Sequence, residues 1–454
     1  MATFTVTNFL DFGTGSFRQA ILDANGLGGA DEILFDLGLS GGTINLTSGE
    51  LLITDDLTIN GLGADFLSVD AGGFSRVFNI DDGDDGNFLD VLIDGLTITG
   101  GNSGASAEGS GIFNAENLTL TNSIVSGNIG NFSVGGISNS GELTVNNSTI
   151  SGNIGNFGVA GISNSGQLTI TNSSITENAG RVIGGIDNSG ELTMVNSTIS
   201  GNNSKNIAGI SNSGEVSVTN STISSNYGEY GGTIGNSGEL TLTNSTISSN
   251  SGLSGSISNS GELTLTNSTI SGNSSFFNSS VTNYSGGLAT VSNTIIAGNI
   301  NYSSYDNTLA DVSGDFTSNG FNLIGDITGS TGFENDLTFT NLGGIGIEDV
   351  LNTNLTNNGG STLTHALISG SPAIDAGNND DINTLTDQRG AGFERIVDGN
   401  NDTIVVVDIG AFEVQQQQTS VPEPSSMLGL FGLVIVAFGI KATFFFPLLT
   451  RLVR

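Results

Sequence analysis

The chain of 454 residues has no cysteine, no tryptophan, a single histidine, 4 prolines, and 9 lysines and arginines against 44 aspartates and glutamates. Each scarcity excludes something. Without cysteine there is no disulfide framework, thiolate metal site or cysteine nucleophile, and one histidine cannot build an imidazole-rich metal centre. A formal net charge of -35 repels phosphate backbones and removes the counterion release that drives nucleic-acid binding, so no nucleic-acid partner is expected. The low proline content leaves nearly every backbone N–H free to pair. What is abundant is glycine, 69 residues, beside a 36% hydrophobic share that can build a core.

A repeat explains this composition. Between Ile112 and Asn299 a leucine column falls at Leu118, Leu143, Leu168, Leu192, Val216, Leu240, Leu263 and Leu288, with spacings of 23 to 25 residues. That period is short for a helical pair and fits one turn of a β-solenoid. Within each repeat, segments such as Glu239–Thr243 alternate, so Leu240 and Leu242 face inward while Glu239, Thr241 and Thr243 face outward. Isoleucine columns through Ile137 and Ile150 complete a reading of three short strands per coil. Asparagine recurs in three columns, starting at Asn139, Asn147 and Asn153, where it suits left-handed turns and amide ladders between coils. The fold expected is all-β, a single-stranded right-handed parallel β-helix with a short N-terminal capping helix. Ser16-Phe17-Arg18-Gln19 has capping-box spacing and opens that helix through about Asn25.

The chain divides accordingly into an N-terminal cap (1–43), irregular coils (44–111), regular repeats (112–299), C-terminal coils with an end domain (300–414), a linker (415–426) and a membrane-spanning sorting tail (427–454). The opening segment, from Val6-Thr7-Asn8 through Gly15–Ile21 to Gly29–Phe35, resembles the CSLREA-type start of bacterial surface β-helices. The runs Thr364-His365-Ala366-Leu367, Ser371–Gly377, Thr386–Gly390 and Asp408–Glu413 resemble the choice-of-anchor Q domain, which makes His365, Asp375, Asp387, Arg389, Asp408 and Glu413 its motif residues here. Val421-Pro422-Glu423-Pro424, followed by an apolar stretch from Met427 and by Arg451 and Arg454, is similar to a PEP-CTERM sorting signal. That resemblance implies export, processing by an exosortase-type enzyme and a membrane helix before processing. Met1–Leu10 lacks a basic n-region and an apolar h-region, so export is expected to use an upstream leader.

Chemistry is sparse in the repeats. Between Ile112 and Asn299 the only aspartate is Asp187 and the only cations are Arg181 and Lys205, which lie in adjacent coils as an ion-pair candidate. The outward column Glu142, Glu191, Glu215, Glu239 and Glu262 reads as a solvated face that resists edge aggregation. Oxygen-rich spacings at Asp81, Asp82, Asp84 and Asp85, and at Asp398, Asn400 and Asp402, are the calcium candidates, although neither completes an EF-hand loop. No catalytic residue is assigned and no other cofactor is expected. The sequence points to a surface-associated structural or adhesive protein that engages extracellular polysaccharide. The competing readings are a polysaccharide lyase or glycoside hydrolase with its site in irregular coils, at Asn45–Asn102 or Asn301–Gly346, and an ice-binding protein using the outward threonine rows, Thr144, Thr169, Thr193, Thr241 and Thr264 among them.

Overall fold

A computed structural model describes residues 1–416 except Asp85, Asn87, 105–108, 303–310 and Asn383. The chain winds into a parallel β-solenoid whose strands stack into sheets of 13, 12, 13 and 8 strands. The first sheet begins at Thr3–Val6 and runs through Glu142–Asn146 to Thr317–Gly320; the second runs from Leu51–Ile53 through Ile137–Asn139 to Ser330–Thr331. The third runs from Gly42–Asn45 through Thr149–Ser151 to Leu337–Thr338. A fourth sheet of two-residue strands, Ile129–Gly130 to Ile300–Asn301, corrects the expectation of three strands per coil. Its sequence is too short and too variable to alternate, running from Ile154-Gly155 to Asn203-Ser204 and Ser274-Ser275, so period two cannot announce it.

The inward columns fuse into one apolar core from Val6 to Phe333, with one correction: Leu288 pairs with Glu262 and is exposed, and Ala289 takes the inward place next to Leu263, because the turn at Tyr284–Gly287 lengthens that coil by one residue relative to the leucine spacing. Helix α1, Phe17–Asn25, closes its N-terminal end: the Ser16 side chain accepts the Gln19 N–H, and Phe17, Ala20, Ile21 and Ala24 turn inward. Phe17 packs edge-on against Phe35 and Phe78, with ring centroids 5.0 and 6.1 Å away.

The asparagine columns divide their labour. Asn122, Asn147, Asn172, Asn196, Asn220, Asn244, Asn267 and Asn293 occupy the left-handed region with φ between 46 and 51°. The column through Asn139 and the column through Asn153 are buried, and each bonds to its copy in the next coil. Asn178 illustrates the saturation: its Oδ1 accepts both the backbone N–H and the Nδ2 of Asn153 at 3.0 Å, while its own Nδ2 donates to Ile150 O and Asn202 Oδ1. Both amide donors and both lone pairs are used.

The last turns depart from the repeat. Thr269 stands in register with Ile295, then Leu323, then Leu337, so the outward position of the third sheet changes from hydroxyl to hydrocarbon. The reason is the chain beyond Thr338, which folds back along the flank of the solenoid instead of stacking on its end. Ile295, Ala297 and Leu323 pack under Val350, Leu351, Leu367, Ala373 and Ile409. Further back the cover is polar: Thr222 Oγ1 donates to Leu363 O, Thr246 Oγ1 to Gln388 Oε1, and Thr269 Oγ1 accepts from Ala411 N.

Replacing Asn202 with alanine strands the Asn178 donors and the Asn226 acceptor, so a loss of about 3 kcal/mol is expected, read as a lower thermal midpoint with a single transition. Glu177 holds φ 57° at a position where neighbouring coils use Gly152 and Gly201. Glu177→Gly should therefore stabilise by about 1 kcal/mol in urea titration.

Candidate functional site

The side chains capable of chemistry collect where the repeat is broken, in the folded-back segment and in the irregular coils. In the folded-back segment six charged groups are buried: Asp387, Arg389, Arg395, Asp398, Asp408 and Glu413. Arg389 lies between the rings of Phe393 and Phe412, its guanidinium carbon 3.9 and 3.8 Å from their centroids. It grips the Asp387 carboxylate through Nε and Nη2, at 3.0 and 2.6 Å from Oδ2, and donates to the Glu413 carbonyl. Arg395, with none of its side chain exposed, donates to Gly410 O at 2.6 Å and places Nη1 3.8 Å from Glu413 Oε2.

The carboxylates are spent on backbone. Asp408 accepts the Asp375 and Val414 N–H groups at 2.8 and 2.7 Å, and Glu413 accepts those of Val397 and Asp408. Asp375 in turn holds Gly399 and Asn400. The motif residues Asp375, Asp387, Arg389, Asp408 and Glu413 thus converge on one network that ties the irregular segment together. His365 stands apart from them. Its Nδ1 donates to Asn352 O at 2.8 Å, which leaves Nε2 to accept from Ser248 Oγ at 2.8 Å. The lone histidine therefore rivets the folded-back segment to the solenoid, and its burial lowers its pKa and keeps it neutral.

Four buried carboxylates, Asp387, Asp398, Asp408 and Glu413, outnumber the two buried guanidinium groups. Desolvation raises the pKa of Asp408 and of Glu413, and for Glu413 the Asp408 charge adds to it. Asp311 belongs to the same class: buried at the end of the Asn153 column, it is pushed up to about 7 by desolvation, against the pull of the Asn299 and Asp326 hydrogen bonds.

The calcium candidates divide. Asp398, Asn400 and Asp402 close a turn by accepting the N–H groups of Asp402, Thr403 and Ile404. Asp81 and Asp82 meet Glu116, a residue the sequence reading passed over because it precedes the glutamate column; their ligand atoms lie within 4.8 Å of one another. Both Glu116 oxygens already accept backbone N–H groups, from Asp82 and Leu89. Asp84 caps Gly86 at the exposed tip, and Asp85 lies outside the described residues. The pairing considered for Arg181, Asp187 and Lys205 resolves into separate partners: Arg181 lies over the Phe157 ring at 5.0 Å, Lys205 approaches Glu229 at 3.7 Å, and Asp187 bonds to Ser211.

Two open depressions of about 500 Å³ lie in the N-terminal half. One crosses the first sheet over Thr58, Asp90, Asn117, Thr119, Glu142 and Thr144. The other is lined by Glu50, Phe74, Arg76, Asn102, Ser103 and Asn131 in the loops that precede the second sheet.

Residues 420–441 match the PEP-CTERM protein-sorting motif. The chain thus carries a sorting signal that implies export, exosortase processing and membrane association before processing. The motif Val421-Pro422-Glu423-Pro424 and the helix expected after Met427 lie outside the described residues, among which no helix is long and apolar enough to cross a membrane. The match stays within the tail and does not extend to the CSLREA-like and choice-of-anchor Q-like blocks. No curated protein matches the chain. Among solved structures it is similar to the pectate lyase Pel9A, at 16% identity and a TM-score of 0.45, covering 91% of this chain and 96% of that one. It is also similar to the PL6 family alginate lyase AlyGC, at 12% identity and a TM-score of 0.40, covering 84% of this chain and 58% of that one. At these values neither substrate nor chemistry passes to this chain.

The raised carboxyl pKa values fix a pH dependence. Between the ordinary carboxylate range and about 7, the native state holds more protons at Asp311 than the unfolded chain does, and the same sign applies to Asp408 and Glu413. Stability should therefore rise as pH falls from 8 to 5, and Asp311→Asn should flatten part of that slope in thermal melts across the range.

Proposed function

We propose that this protein is an exported, cell-surface β-solenoid with a structural or adhesive role, one that engages extracellular polysaccharide without turning it over. The sorting motif at 420–441 carries the address. For the role, the supporting observation is how the clustered acids are used: in the folded-back segment and in the Asp81 loop they accept backbone N–H groups and hold irregular chain in place. In the groove of the irregular coils, the acid and the base among the described lining residues, Glu50 and Arg76, face each other at 3.8 Å. That arrangement neutralises a candidate base instead of freeing it for proton abstraction.

On this reading the folded-back segment is an end domain of the choice-of-anchor Q type, whose network around Arg389 and Arg395 gives the sorting tail a rigid root. Processing would release a body poorer still in positive charge, since Lys441, Arg451 and Arg454 lie in the tail.

Incubation of the full-length protein with a panel of neutral and acidic polysaccharides should give sedimentable binding and no new reducing ends or unsaturated products. Product formation that is lost in Arg76→Ala would replace this reading with a lyase or hydrolase in the irregular coils. Fractionation of the native host should recover the protein at the surface or in the matrix, and recovery only from cytosol would overturn the export claim.

A further inference from the structure

We propose that the groove over Arg76 is a binding subsite for an uncharged polysaccharide, an inference that rests on the polysaccharide-engaging role above and assigns it a place and a ligand class. Three features combine there. Phe74 is 88% exposed, set over the Cβ-less Gly72, and offers apolar ring surface at the rim. Arg76 forms the floor with its side chain 7% exposed, held 5.0 Å over the Phe113 ring and 3.8 Å from Glu50 Oε2. Planar polar groups line the rest: Glu50 accepts from Asn79 Nδ2 at 3.0 Å, and Asn131 Nδ2 donates to Asn102 Oδ1 at 3.2 Å. An aromatic surface beside amide and carboxylate groups is the combination that takes a sugar ring, with its C–H face on the phenyl group and its hydroxyls on the polar side chains.

Charge selects within the glycans. Among the described residues the groove's cation, Arg76, is offset by Glu50, and a body of net charge -35 repels polyanions. Size selects against a protein partner: about 500 Å³ holds a short run of sugar units and is far below a standard protein interface. The groove also continues along the solenoid axis. Asn156 Nδ2 donates to Asn131 Oδ1 at 2.9 Å, which repeats the amide one coil, about 4.8 Å, further on. Phe132 and Phe157, stacked at 4.7 Å, follow the same corner. An extended chain laid along that corner would meet Asn102, Asn131 and Asn156 in successive coils, before Arg181 takes the amide's place in the next.

The test uses the full-length protein in affinity electrophoresis against laminarin, dextran and hydroxyethyl cellulose as uncharged probes, and polygalacturonate and alginate as acidic ones. Wild type should bind at least one uncharged probe, with retention unchanged between low and high salt. Phe74→Ala should weaken it about tenfold or more, Asn131→Ala should weaken it less, and Thr241→Ala on the first sheet should bind as wild type does. Phe74 is a surface residue, so matched thermal midpoints will show that its variant folds. Undiminished binding by Phe74→Ala would overturn the site and leave the polysaccharide-engaging role standing. Salt-sensitive preference for the acidic probes would overturn the ligand class. Failure of wild type to bind any probe would overturn the role itself, and the site with it.

Discussion

One constraint governs this molecule: a stack of coils has no other place to put its backbone and corner polar groups than the coil above and the coil below. In the columns through Asn139 and Asn153 each asparagine answers it by donating its amide toward the C-terminal neighbour and accepting from the N-terminal one, so these columns have a direction. A directed ladder of donors needs an acceptor at its end, and two ladders finish on a carboxylate. Asn299 donates its backbone N–H and its Nδ2 to Asp311 Oδ1. The serine column that starts at Ser123 and passes through Thr294 and Asn322 ends in the same way on Asp336. Aspartate suits these ends because its second oxygen also accepts: Asp311 Oδ2 takes the Asp326 N–H and Asp336 Oδ2 the Ser318 hydroxyl. At Asp311 the cost is a buried carboxyl whose pKa rises.

The same constraint accounts for the folded-back segment. The solenoid could meet solvent with its third sheet, and over Thr149 and Ser174 it does; from Thr222 onward the chain covers that sheet with its own irregular C-terminal portion. Irregular backbone cannot satisfy itself by repetition, so it needs side chains to do so. Asp375, Asp387, Asp398, Asp408 and Glu413 supply acceptors for loop N–H groups, and Arg389 and Arg395 supply donors for loop carbonyls. A network of that composition resembles an active site in its inventory of residues. Its geometry is that of a scaffold, with each charged group turned toward the backbone.

The sequence makes the coil period, the inward leucine and isoleucine columns and the capping helix legible, because each depends on spacing alone. The three asparagine columns were equally visible, but which formed ladders and which turned the chain was not: Asn147 and Asn153 both sit in corners, and only the backbone angle separates them. Likewise the change from Thr269 to Ile295 and Leu323 was written in the sequence, yet its meaning needed the partner that covers it, Val350 to Ile409, which lies far along the chain. Glu116 was missed as a neighbour of Asp81 and Asp82 for the same reason, since they belong to successive coils with different loop lengths. Spacing carries information between equal coils and loses it where insertions make coils unequal.

Function should then be sought where the repeat fails. In the regular turns every outward position is set by what its copies tolerate at about 4.8 Å, which favours threonine, serine and a single solvated glutamate column. Such a surface offers the same group many times and cannot gather unlike groups at one point. The irregular coils are free of that rule. There Glu50, Phe74, Arg76 and Asn102, joined by Asn131 from the first regular coils, come from four successive turns, and they enclose the one groove described in which aromatic, cationic, acidic and amide groups meet. A recognition site needs that heterogeneity, because one ligand ring presents apolar and polar faces together. Stacking alone produces surfaces with one character along their length. The break in the stack is what lets this fold be specific.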